Sequence, residues 1–104
     1  MINIDNCGAF LDEKTAAFAL GRVGEATSIV MHPVQIVCAT LYMNVLSERP
    51  RNGSEFDGHS YQGRKIIPDK GLPPTVVEFR NANNQTVCLI KNLACPKEAM
   101  AVYG

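Results

Sequence analysis

The most constraining stretch of this chain runs through residues 58–79, where prolines and glycines leave the backbone few choices. Ile66 and Ile67 form an apolar pair. Pro68-Asp69-Lys70-Gly71 breaks the chain, and Leu72-Pro73-Pro74 stiffens the backbone beyond the break. Proline fixes its own φ and pushes the preceding residue towards extended geometry, so the segment predicts a strand, a rigid turn and a second strand over Thr75–Phe79.

The surrounding chain supplies the partners for these strands. Leu11-Asp12-Glu13-Lys14 opens a helix with Asp12 as N-cap and Glu13 near the positive end of the dipole. Gly21 or Gly24 is the expected terminator. Thr27–Met31 is short, β-branched and apolar, which predicts a buried strand. Pro33 then suits the first position of a helix, where a missing N–H costs nothing. Val34, Val37, Cys38, Leu41 and Val45 recur at helical spacing, with Thr40, Asn44 and Ser47 as a polar stripe. Ile36, Met43 and Leu46 widen the apolar arc, so this helix is expected to be buried on more than one side or covered by a partner. Pro50 ends it.

Residues 47–62 are polar, with only Phe56 and Tyr61 large and apolar. They predict one long loop, and a loop of that length inside a small domain is functional or mobile. Asn81–Asn84 is turn chemistry between strands 75–80 and 85–90, which predicts a hairpin. Residues 97–103 read as a short terminal helix. The resulting expectation is a single α+β domain over 1–104: a small mixed or antiparallel sheet with two to three helices packed on it.

Ten basic and ten acidic residues give zero formal charge. That argues against a nucleic-acid binder relying on a basic footprint, because phosphate neutralisation needs clustered Lys and Arg. It also leaves little mutual repulsion to oppose association. No apolar run reaches the ~18 residues of a membrane span, and the first residues lack a secretory leader's pattern. Synthesis in a cytosol, with Cys7, Cys38, Cys88 and Cys95 reduced, is therefore expected.

The candidate chemistry is thin. Glu55, Asp57 and His59 share the polar loop, but a metal needs three or four convergent ligands, and His32 is the only other histidine. His32 itself suits a helix cap better than a general base. Cys88 falls inside an apolar strand, where a thiol behaves as a small hydrophobe. Cys95, placed before Pro96 at a helix start, is the best reactive candidate, since a helix N-terminus lowers a thiol's pKa. Arg49, Arg51, Arg64 and Lys65 flank the loop, but Glu48, Glu55 and Asp57 are mixed among them, which reads as a solvated face. No catalytic residue, metal or cofactor is assigned.

Met31-His32-Pro33, a helix, a polar insertion and then Tyr61-x-Gly63-x-x-Ile66-x-Pro68-Asp69-x-x-Leu72-Pro73-Pro74-x-x-Val77-x-Phe79 together resemble a segment of tailed-bacteriophage major capsid proteins, over roughly residues 28–80. In that family a His-Pro strand end leads into a helix, and a glycine-led strand runs to an acidic turn, all within the axial domain. Thr75 departs from the glycine that often follows the prolines. The chain is too short for a capsid subunit's extended loop and spine helix. The resemblance therefore implies an axial-domain-like module used elsewhere in a virion, as a decoration, cement or connector component. The expected function is non-enzymatic assembly in the host cytoplasm and then the virion, through contacts with other virion proteins or with itself. Arg49, Arg51, Phe56, Tyr61 and Arg64 are the expected partner-binding residues, because Arg and aromatics dominate interface energetics. A soluble inhibitor of a host enzyme and a small Cys/His enzyme are the alternatives.

Overall fold

The structure, a computed structural model, describes residues 1–45 and 59–95. Along the described residues the order is β1 (Ile2–Asp5), α1 (Glu13–Arg22), β2 (Ser28–Met31), α2 (Pro33–Val45), β3 (Ser60–Tyr61), β4 (Arg64–Pro68), β5 (Val77–Arg80) and β6 (Thr86–Lys91). The strands form one sheet in the order β1-β6-β5-β2-β4-β3. β1 runs parallel to β6 and β2 parallel to β4, while the other pairings are antiparallel. The α+β expectation, a mixed sheet carrying two helices, holds. The expected terminal helix at 97–103 lies outside the described residues.

The strand–turn–strand that dominates the sequence has a specific use in this topology. β4 and β5 do not pair with each other; β2 lies between them, with Ile29 opposite Ile66 on one side and Phe79 on the other. The Pro/Gly turn therefore has to cross the end of β2, a span of two inter-strand spacings or about 10 Å. It is fixed there by Asp69 N–H donating to the Met31 carbonyl at 2.9 Å and by Gly71 N–H donating to Asp69 Oδ1 at 2.8 Å. Strand pairing begins only at Val77, because Val76 N–H is held by the Pro73 carbonyl in the turn.

As a central strand, β2 reads as an unbroken apolar run, and Ile29, Val30 and Met31 are all buried. The expected hairpin forms between β5 and β6. Cys88 and Ile90, opposite Phe79 and Val77, face inward, and a bulge follows at Phe79/Arg80. Those side chains meet Ala16, Ala19 and Leu20 of α1, Ala39 of α2, and Ile29, Met31, Ile66, Val77 and Phe79 of the sheet. Each large side chain buried in this layer contributes roughly 2–3 kcal/mol.

Asp12 caps α1 as expected, its carboxylate accepting from Thr15 N–H at 2.7 Å. Neither Gly21 nor Gly24 ends the helix. It runs to Arg22 and is capped by Val23, whose N–H bonds the Ala19 carbonyl and whose side chain is buried. Burying Val23 and Ala26 fixes the exit more strongly than a glycine's backbone freedom would. At α2, His32 Nδ1 accepts from Val34 N–H at 3.0 Å, so the histidine acts as a cap. Val34, Gln35, Cys38 and Ala39 are buried as two adjacent rows of one helix face, whereas Ile36, expected to widen the apolar arc, is only partly buried, and the side chains of Met43 and Leu46 lie outside what is described.

Candidate functional site

Of the residues expected to bind a partner, Arg49, Arg51 and Phe56 lie outside the described residues, as do Glu55 and Asp57. Tyr61 does not stand on a surface. Its ring is 2% exposed and belongs to the core, because β3 pairs with β4 at the rim of the sheet and turns that ring inward. Arg64 is partly exposed, but its guanidinium is engaged, donating to the Gln62 carbonyl at 2.8 Å and to the Ala26 carbonyl at 3.3 Å. It ties the β3–β4 turn to the entry of β2. Lys65 is exposed and His59 sits at the start of the described β3 segment.

The thiols differ from expectation in one respect. Cys88 is fully buried in β6, as its apolar strand predicted. Burial pushes the Cys95 thiol up, whereas a helix-start position had implied a lowered pKa. No group of three or more His, Cys, Asp or Glu side chains able to hold a metal occurs among the described residues.

The surface that stands out is one the sequence reading passed over. β1 is the outermost strand, paired on one side with β6, and no described strand pairs with its other side. Its signal was present: Ile2-Asn3-Ile4-Asp5 alternates strictly, and Ile2 and Ile4 pack against the core while Asn3 and Asp5 face out. An unpaired edge presents backbone donors and acceptors to any incoming strand unless proline, lysine or extreme shortness blunts it. β1 is four residues long and carries no proline or lysine, and its one charged side chain, Asp5, stands at its end. The opposite edge, β3, is only two residues long.

Two grooves open along the seam between β1 and α1. One, of about 310 Å³, is lined by Ile4, Asp5, Asn6, Lys14, Thr15 and Phe18. The other, of about 450 Å³, lies towards the start of β1 and is bounded by Met1, Ile2, Arg22 and Val23 with Gln85 and, from β6, Thr86 and Val87. Among the described residues the exposed large apolar side chains are Met1, Phe18 and Ile67, and the first two flank this seam. Phe18 is 57% exposed, with the Arg22 guanidinium 5.9 Å from its ring centroid. A half-exposed phenylalanine beside an arginine combines two residue types enriched in protein interfaces.

At the far end of β1 the backbone is constrained. Cys7 and Asn92 both adopt positive φ, 53° and 59°, a conformation that side chains beyond glycine rarely take. They are held by Asp5, whose Oδ1 accepts from Asn92 Nδ2 and Cys7 N–H, each at 2.9 Å. These bonds, the one from Asn92 foremost, keep the Asp5 carboxyl below its usual range. The arrangement rigidifies the exit of β1 and so the end of the open edge.

Against protein-family models, curated proteins and solved structures alike, the chain finds no match.

Proposed function

We propose that this chain is a non-enzymatic assembly protein that associates with a second copy of itself through the β1–α1 side, and that it serves as a virion component of the decoration, cement or connector type. The observation that carries the association is the open β1 edge flanked by exposed Met1 and Phe18. Antiparallel pairing of β1 with its copy about a two-fold axis would extend the sheet and keep Ile2 and Ile4 of both copies on the same face. It would also bring the two α1 helices side by side, with the Phe18 rings between them. Zero formal charge removes net repulsion between copies, and the groove carries one acidic and one basic residue, Asp5 and Lys14, for reciprocal pairing.

The virion setting rests on the resemblance of residues 28–80 to the capsid axial domain. Its His32-Pro33 junction and Asp69 turn supply that likeness. Assembly in the host cytoplasm and then residence in the particle are part of the same reading. Native mass measurement, together with assay of purified particles for the chain, tests it. Symmetric oligomers that co-purify with particles are expected. A chain that stays monomeric, is missing from particles and binds one-to-one to a host enzyme would replace assembly with inhibition.

A further inference from the structure

We propose that β1 recognises its copy in a single register, Asn3 opposite Asn3 of the second copy, with the two-fold axis between them. Given the association through β1 proposed above, on which this rests, the backbone of the edge limits where the copies can meet. Asn6 N–H donates to the Lys91 carbonyl at 2.8 Å, and Asp5 is in register with Lys91. In an extended strand the N–H and C=O of one residue leave on the same side, and the side alternates along the chain. The groups of Ile2 and Ile4 are therefore spent on β6, while those of Asn3 and Asp5 point to the open edge. An antiparallel partner must set outward residues opposite outward residues. The same rule keeps Ile2 and Ile4 of both copies on the core face, where they already pack. Within β1 the pairings left are Asn3–Asn3, Asn3–Asp5 and Asp5–Asp5.

Charge and occupancy choose among the three. Asp5 opposite Asp5 would place two carboxylates directly across the ladder, a destabilising pair. Asn3 opposite Asp5 would need the Asp5 carbonyl. The chain turns back beside that oxygen at Cys7, whose φ is 53°, and the Cys7 thiol donates to it at 3.7 Å. That register would also set Ile2 opposite Asn6 rather than an isoleucine. Asn3 opposite Asn3 meets neither obstacle. Its reciprocal N–H to C=O pair uses groups that bond nothing else among the described residues, and Ile2 of each copy meets Ile4 of the other. The helices agree with it. Lys14 and Phe18 border Ile4 and Asp5, while Arg22 and Glu25 border Met1 and Ile2, so α1 runs against β1. A two-fold axis at Asn3 then sets Lys14 towards Glu25 of the second copy, and Phe18 towards its Arg22.

The test is disulfide trapping in the full chain. Asn3 is exposed, so Asn3→Cys leaves the core untouched, and Cys7→Ser removes the other exposed thiol. Hydrogen-bonded antiparallel partners lie about 5.5 Å apart at Cα, within a disulfide's reach. In the Asn3–Asp5 register the two copies of residue 3 would lie roughly 9 Å apart, too far to close. The double variant is oxidised by dissolved oxygen with a copper catalyst, then analysed by non-reducing intact mass and peptide mapping. A species of twice the chain mass less two hydrogens is expected, linked through residue 3 alone. In a second measurement, Asn3→Asp and Asn3→Lys chains should each lose association, and the two mixed should recover it as a heterodimer by native mass. A dimeric wild type whose Asn3→Cys variant stays unlinked or links elsewhere overturns the register and leaves the association standing. So does a mixture no more dimeric than either variant alone. A monomeric wild type overturns both.

Discussion

Replacing Gln35 by methionine keeps the side chain's length and removes all its polar atoms, which isolates what its hydrogen bonds contribute. Gln35 is fully buried, and its amide bridges Pro74 in the turn before β5 and Ala94 after β6. Losing two bonds costs about 1 kcal/mol each, and leaving two carbonyls without their donor adds roughly 1–3 kcal/mol in total. One gain offsets this. Gln35 Oε1 has no hydrogen-bond partner among the described residues, and deleting that stranded acceptor returns about 1–2 kcal/mol. The net expectation is a loss of about 2 kcal/mol for Gln35→Met, and about 4 kcal/mol for Gln35→Ala, where a cavity is added. In equilibrium urea unfolding, with m of about 1 kcal/mol/M, the methionine variant's midpoint falls by roughly 2 M. If that variant matches the wild type while the alanine variant is destabilised, Gln35 merely fills space. The reasoning that it clamps the 93–95 segment to α2 would then be wrong.

Asp12→Ala should cost about 1 kcal/mol in the same assay by freeing Thr15 N–H at the start of α1, with asparagine restoring most of it. Asp5, held below the usual carboxylate value by Asn92 and Cys7, stabilises the fold above the unfolded value and loses that contribution as pH falls through the lower folded value. Side-chain carboxyl NMR should show its midpoint shifted down, and Asn92→Ala should move it back up. Cys38 is pushed up to about 11 by burial first and by Cys95 second, from an ordinary value of 9.0. Its contribution to stability is therefore full below pH 9 and is lost as pH rises through about 11. Alkaline unfolding of Cys38→Ala should lack that component.

Much of the fold was legible because local chemistry and burial agreed. Asp12, Pro33 and the asparagine turn at 81–84 announce elements that the fold keeps, and the apolar run at 28–31 marks the central strand. Where a tertiary choice intervened, the sequence misled. Gly21 and Gly24 offered backbone stops, yet burial of Val23 set the end of α1. The Pro/Gly turn at 68–74 gave its geometry but not its reach, since nothing local says that β2 lies between the strands it joins. The open edge was the larger omission: four alternating residues at the start of the chain carry a weak signal, and their edge position depends on pairing with β6 at the other end of the sequence. Tyr61 was misplaced for a related reason. An aromatic in a polar stretch looks like an interface anchor until β3 turns it inward. The anchoring of residues 93 and 94 depends on two backbone bonds and one buried glutamine, none of them visible as a motif.

Phe18→Asp gives the most direct test of the central claim that the β1–α1 side is where copies associate. Phe18 is exposed, so a charge there leaves the core intact but places two like charges where the copies would meet. Native mass spectrometry and sedimentation equilibrium of the wild type and the variant, at matched concentration, should show symmetric oligomers for the first and folded monomers for the second. A wild type that is monomeric at high micromolar concentration, or a Phe18→Asp variant that assembles as well as the wild type, would contradict it.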